Sequence, residues 1–304
     1  MRKAHVSPGI SGLSSGQSDS LAVGVVGDHP SVPFAAVNDI DVYFELHGEG
    51  PPVLNISGSG NDLRDSPPGV IPLNRAFEVL HYDQRGLGQT SRPDGTYTMA
   101  DYADDAAALI ASMGWTRCHV VGTSFGGMVA LNLAARHPDL IDRLVLCCTS
   151  PGGEAPSYPL HELARLSPQD AFAERCRLTD RRYDPDADEP IPALGAYYAR
   201  IRKQSFRPPD PDRLAGLARQ MGARRGHDVI ADLPSIEHRT LVCAGEFDGI
   251  APVANSELLT EQMPNASLRV FDGGHMFLIQ DRTAFPAIIE FLQSGDGGVS
   301  RPVS

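Results

Sequence analysis

The chain has 304 residues, 41% of them apolar and 21% charged, with a formal net charge of −12. A chain of this length can bury a full hydrophobic core, and its 30 glycines and 25 prolines stop short of low complexity. Collagen, coiled coil and wholesale disorder are excluded; the acidic balance without a basic patch argues against nucleic acid, and no apolar stretch is long enough for a membrane helix.

Met1-Arg2-Lys3 could open a signal peptide, but the only apolar run nearby, Leu21 to Val26, is short and flanked by Asp19 and Asp28. The expected protein is soluble and cytoplasmic, with no membrane partner. In Met1 to Ser20 ten residues are Ser, Gly or Pro, which predicts a disordered tail over 1–33. Residues 295–304 read the same way.

From Pro33 onward, short apolar runs alternate with helical patterns. Strands are predicted at Asp41-Val-Tyr-Phe-Glu-Leu, Pro52-Val-Leu-Asn-Ile, Phe77 to Tyr82, Cys118 to Gly122, Leu140 to Cys148, Thr240 to Ala244 and Leu268 to Phe271. Helices are predicted over Met99 to Met113, Phe125 to Arg136 and Thr283 to Gln293. Buried strands alternating with helices argue for a mostly parallel sheet covered on both faces, an α/β class. Residues 151–235 break the alternation with helical patches and Pro-rich joints. They predict a helical cap inserted between strands of a core formed by 34–150 and 236–294. Of the five cysteines, Cys118, Cys147, Cys148 and Cys243 lie in or beside apolar runs, Cys176 does not, and there is no C-x-x-C spacing. Those four are expected to be buried, and the cysteines as a set are expected as structural thiols in a reducing compartment.

Gly122-Thr123-Ser124-Phe125-Gly126 fits G-x-S-x-G, with a predicted strand before it and a helix after it. Glycines let the strand turn into a helix within a few residues. The turn lifts the Ser124 hydroxyl above the sheet and aims the Phe125 N–H at a developing oxyanion. A serine alcohol needs a base, and the base needs an orienting acid. Among ten histidines, His275 in Gly273-Gly274-His275-Met276 follows the last strand and is flanked by glycines. After the preceding strand, Gly245-Glu246-Phe247-Asp248 offers Asp248 as the acid, with Glu246 as runner-up.

Over residues 37 to 294 the chain resembles the α/β-hydrolase superfamily. Its Ser124…Asp248…His275 order is that family's order. Asp83-Gln-Arg85-Gly86-Leu-Gly88-Gln-Thr-Ser91 resembles the family's D-x-R-G-x-G-x-S loop, and Gly245-x-x-Asp248-x-x-x-Pro252 resembles its acid loop. Many members carry His-Gly after the third strand; here Ser57-Gly58-Ser59 stands in that place. By this resemblance the Ser59 backbone N–H joins that of Phe125 as an oxyanion donor. Ser59 to Arg64 is also similar to 3-oxoadipate enol-lactonases and related small esterases.

The resemblance implies a serine hydrolase acting through a Ser-His-Asp triad and an acyl-enzyme on a small-molecule ester or lactone. It implies no cofactor and no metal. C–C bond hydrolysis and cofactor-free perhydrolysis on the same fold are the alternatives; a receptor-like module with a vestigial pocket is the non-enzymatic one. Residues 151–235 contain 13 basic and 13 acidic residues, so the whole net charge lies outside them. A cap arginine, or Arg64, is a candidate partner for a substrate carboxylate. Met128, Met276 and Phe277 are candidate pocket residues, with core packing as the competing role.

Overall fold

The apolar runs assemble into one eight-stranded sheet in the computed structural model, which describes residues 33–64, 68–187, 191–206 and 210–295. The strands are β1 (Phe34–Val37), β2 (Ile40–His47), β3 (Pro52–Ile56), β4 (Glu78–Tyr82), β5 (Cys118–Thr123), β6 (Ile141–Cys147), β7 (Arg239–Gly245) and β8 (Ala266–Phe271). Their spatial order is β1-β2-β4-β3-β5-β6-β7-β8. β1 and β2 are antiparallel, as are β2 and β4; the remaining neighbours run parallel. The central strands β3, β5 and β6 are buried nearly end to end, which is why they read as continuous apolar runs rather than alternating ones. β1 is a strand the sequence does not announce. Its four residues, Phe-Ala-Ala-Val, are too few and too small to show a period, and they gain order by pairing with β2 across a turn at Asn38 (φ 50°).

The helices are α1 (Met99–Ser112), α2 (Phe125–Arg136), α3 (Pro168–Thr179), α4 (Gly195–Ser205), α5 (Pro211–Arg225), α6 (Val253–Gln262), α7 (Phe277–Gln280) and α8 (Ala284–Gln293). α1 opens on a capping box: the Thr98 hydroxyl accepts from Asp101 N–H, and the Asp101 carboxylate accepts from Thr98 N–H. α1 and α2 pack one face of the sheet, joined by Leu259 of α6. α7 and α8 pack the other face through Phe277, Ala284, Ala287 and Ile288. α3, α4 and α5 lie between β6 and β7, within the span where a helical insert was expected. α3, α4 and the turn before α4 share an apolar cluster of Cys176, Leu194, Tyr198 and Ile201. The expected tails, 1–33 and 295–304, lie almost wholly outside the described residues. Among the described residues no helix is long and apolar enough to cross a membrane.

The loop after β4 is built around buried charge. Asp83 is fully buried; its carboxylate accepts from Leu63 N–H (2.7 Å) and Gln89 N–H (2.8 Å). Arg85 grips Asp105 of α1 with two bonds, of 2.7 and 2.8 Å, and reaches Asp39 at 2.8 Å. All five cysteines are buried thiols.

Candidate active site

At the β5–α2 junction Ser124 takes φ 56° and ψ −116°. A positive φ is costly for a serine and is held here by the surrounding backbone. Ser124 N–H donates to Cys147 O (2.8 Å), and Ser124 O accepts from Gly127 N–H (2.9 Å) and the Thr149 hydroxyl (2.8 Å). The flanking glycines are required by contact. A Cβ on Gly122 would sit 2.5 Å from Gly126 O, and one on Gly126 would collide with the carbonyls of Ile56 and Ser57. The elbow therefore rests directly on the end of β3.

His275 follows β8. Its N–H donates to Thr179 O at 2.6 Å, so the end of α3 fixes the loop that carries it. A Cβ on Gly274 would collide with Thr179 O, which explains that glycine. His275 Nε2 lies 3.0 Å from Ser124 Oγ, and its Nδ1 lies 2.7 Å from Asp248 Oδ2. Asp248 is fully buried, and its other oxygen accepts from Ile250 N–H (2.7 Å) and Ala251 N–H (2.9 Å). With Asp248 beside Nδ1, the neutral ring carries its proton there and turns Nε2 toward the serine as an acceptor. Glu246, the runner-up acid, is exposed, and the partner of His275 Nδ1 is Asp248.

Ser57-Gly58-Ser59-Gly60 runs beside the elbow; a Cβ on Gly58 would lie 3.5 Å from Ser124 Cβ. Phe125 opens α2, so its N–H has no acceptor within the helix. Gln84 does the anchoring here: its Nε2 donates to Ser57 O at 2.8 Å and lies 3.3 Å from Ser57 Oγ. From the insert, Gln220 accepts from Gly60 N–H at 2.8 Å, and Arg213 donates to Gly60 O at 3.2 Å. Gln84 stood inside a motif, but without a role; Gln220 and Arg213 lie far along the chain and carry no local signal.

The candidate pocket residues separate. Met128 is enclosed in the core between sheet and helices, and Phe277 stacks on Phe271 with ring centroids 5.1 Å apart, in the core of the opposite face. Met276 is half-buried and packs against the insert cluster. Arg64 pairs with Asp62, its Nη2 3.1 Å from Oδ2, and the same buried carboxylate takes Arg213 at 3.1 Å. Cys148, Asp248 and His275 place a sulfur, an oxygen and a nitrogen within 4.8 Å of one another. Burial, reinforced by the Asp248 charge, holds the Cys148 thiol well above its ordinary range. Asp248 and His275 are bonded to each other, so this trio is not arranged as a metal site.

A family model described as the alpha/beta hydrolase fold matches residues 51–173. RutD of Caulobacter segnis, a candidate carbamate hydrolase, is 30% identical over 83% of this chain and 96% of its own length. The 2-hydroxymuconate semialdehyde hydrolase of Pseudomonas putida is 32% identical over 82% of this chain and 89% of its own. The enol-lactonase structure from Burkholderia xenovorans LB400 matches with a TM-score of 0.72 and 26% identity, over 86% of this chain and 100% of that one. Sheet order, elbow and these likenesses agree on a class, the hydrolases built on a mostly parallel sheet. The chain belongs to the α/β-hydrolase family.

Proposed function

We propose that this α/β hydrolase is a serine hydrolase that cleaves a carboxylic ester or lactone of a small molecule through Ser124, His275 and Asp248. The observation that carries the reading is the unbroken relay from Ser124 Oγ to His275 Nε2 (3.0 Å) and from His275 Nδ1 to Asp248 (2.7 Å). In the proposed reaction His275 takes the Ser124 proton as Oγ attacks the carbonyl carbon. Asp248 stabilises the imidazolium and keeps the ring in its working orientation. The N–H groups of Phe125 and Ser59 hold the oxyanion. Collapse of the tetrahedral adduct breaks the acyl–oxygen bond, and the imidazolium returns its proton to the leaving alkoxide. Water, deprotonated by His275, then attacks the acyl-enzyme and releases the acid and free Ser124.

The 32% sequence identity to the 2-hydroxymuconate semialdehyde hydrolase supports C–C bond hydrolysis as the second reading, because the same nucleophile and base can serve it. Two measurements test these readings. Fluorophosphonate should label wild-type protein and not Ser124→Ala. A substrate panel of p-nitrophenyl esters, lactones, an enol-lactone and a vinylogous diketone then reads the scissile bond. No labelling and no turnover would leave a binding module; turnover of the diketone alone would establish the second reading.

A further inference from the structure

Asp180 caps the C-terminal end of α3 and is fully buried. A buried carboxylate is costly unless donors surround it, and here four N–H groups do. Arg182 gives its backbone N–H (2.9 Å) and Nε (3.0 Å) to one oxygen and its Nη2 (2.8 Å) to the other. Gln280 Nε2, at the end of α7, adds a bond of 2.8 Å to that second oxygen. Burial alone would raise the Asp180 carboxyl; the bonds from Arg182 and Gln280 outweigh it and hold it below its ordinary range, so it is an anion at neutral pH.

The segment around Asp180 lies between the two triad loops. On the acid side, Leu178 O accepts from Gly249 N–H at 3.0 Å, and Arg181 N–H donates to Phe247 O at 2.9 Å, so both neighbours of Asp248 are tied to it. On the base side, Thr179 O takes the His275 N–H at 2.6 Å. The N–H just before it, that of Gly274, donates to Gln280 Oε1 at 2.9 Å. Two successive N–H groups of the histidine loop are therefore held here, one by backbone and one by the Asp180–Gln280 pair. The packing is close: a Cβ on Gly274 would lie 2.7 Å from Asp180 Cα, and one on Gly273 would lie 2.9 Å from Gln280 Oε1.

A glutamine amide has a donor end and an acceptor end, whereas an ionised carboxylate only accepts. Asp180 therefore requires the NH2 end of Gln280, which leaves Oε1 for Gly274 N–H. A neutral partner at 180 could take either end, and the reversed amide would set NH2 against that N–H. We infer that Asp180 and Gln280 are positioning residues of the active site: Asp180 fixes the Gln280 amide, and the amide fixes the loop that holds His275 between Asp248 and Ser124. The inference rests on the hydrolase reading above and adds to it two residues that act through His275.

Gln280→Met keeps the length of the side chain, removes both ends of the amide and leaves Arg182 on Asp180. Its kcat for p-nitrophenyl butyrate should fall about 10- to 100-fold, the cost of slightly misplacing a reacting group, with KM little changed. Asp180→Asn should lower kcat similarly, and the double variant should be no worse than either single one, because both act through one contact. Asp180→Asn can also unseat Arg182; where it does not fold, Gln280→Met carries the test alone. A second readout needs no turnover. The Nδ1 proton of His275, bonded to Asp248, should give a low-field NMR resonance, identified by its loss in His275→Ala. In Gln280→Met it should move upfield or broaden by exchange. A wild-type kcat or an unmoved resonance in Gln280→Met, or additive losses in the double variant, overturns the inference. A resonance that responds as expected, in a protein that hydrolyses no ester and takes no fluorophosphonate, would overturn the hydrolase reading and leave the positioning of His275 standing.

Discussion

Gln220 of the insert accepts a hydrogen bond from Gly60 N–H at 2.8 Å, across 160 positions of sequence. Gly60 follows Ser59, the proposed second oxyanion donor. Leu217 Cδ1 would lie 3.3 Å from a Cβ on Gly60, and a Cβ on Gly216 would collide with Gly86 O, so α5 is pressed against both loops. Gln220 is fully buried, and its Nε2 has no partner among the described residues. α5 is therefore bonded to and packed against the loop that runs beside Ser124.

Gln220→Leu keeps the side-chain volume but removes the acceptor, leaving the half-buried Gly60 N–H without this partner. The expected result is a fall in kcat of about 10- to 100-fold, less than the loss of an oxyanion donor outright. KM should change little. Fluorophosphonate labelling should slow in parallel, because it forms a similar tetrahedral centre. A uniform drop in melting temperature with unchanged labelling would reduce Gln220 to a packing residue.

Ser124→Ala and His275→Ala should each remove turnover by several orders of magnitude, with similar losses because the two act as a unit. Asp248→Asn should cost somewhat less. All three should keep the native circular dichroism spectrum, since the elbow and the Asp248 loop are held largely by backbone bonds. Near-full activity in Ser124→Ala would end the mechanism.

Gly126→Ala tests the elbow itself. The added methyl would meet the carbonyls at the end of β3, where no flexible side chain can give way. Loss of a few kcal/mol of stability is expected, about the cost of overpacking a rigid core. Activity should fall further than stability does, because relief must move either α2 or the loop of Ser57–Gly60. Wild-type labelling rates in Gly126→Ala would show that the elbow tolerates a side chain there.

Much of this architecture was legible in sequence because its signals are local. The contact of Gly126 with the end of β3 is not local, but Gly122 is needed for a contact four residues away, at Gly126, and β3, β5 and β6 announce themselves as apolar runs. The capping box at Thr98 and Asp101 is equally local. Less legible were interactions made by folding distant segments together. Nothing near Gln220 or Arg224 says that α5 meets the loop after β3 and the Ser157–Tyr158 segment. For Arg64 the sequence offers a substrate carboxylate or a neighbour such as Asp62 as partner, and Asp62, two residues earlier, pairs with it. For Phe277, close to His275 in sequence, pocket lining and core packing both fit the sequence; the structure stacks its ring on Phe271 in the core.

His81 and His227 give the fold a defined acid sensitivity. His81 Nδ1 accepts from the Asn55 amide at 3.2 Å, and its Nε2 donates to Asn74 Oδ1 at 3.1 Å. His227 Nδ1 accepts from the Asn132 amide at 3.2 Å, and its Nε2 donates to Ser150 O at 3.0 Å. In each case a proton on Nδ1 would point at an amide NH2, so both rings are built to be neutral. Burial holds each at about 4, against an ordinary 6.5. The sign follows from linkage. Above pH 6.5 both states are neutral and the full stability is present. Below it the unfolded chain takes up a proton that the folded chain refuses, so stability falls until about pH 4. Each histidine should contribute a slope of about 1.4 kcal/mol per pH unit across that window, on the order of 3 kcal/mol in total. Urea unfolding at pH 7.5, 6, 5 and 4 measures the slope. His81→Leu should lower stability at pH 7.5, because Asn55 and Asn74 lose their partner, yet flatten the decline toward pH 4. An undiminished slope in both His81→Leu and His227→Leu would assign the acid sensitivity to the carboxylates instead.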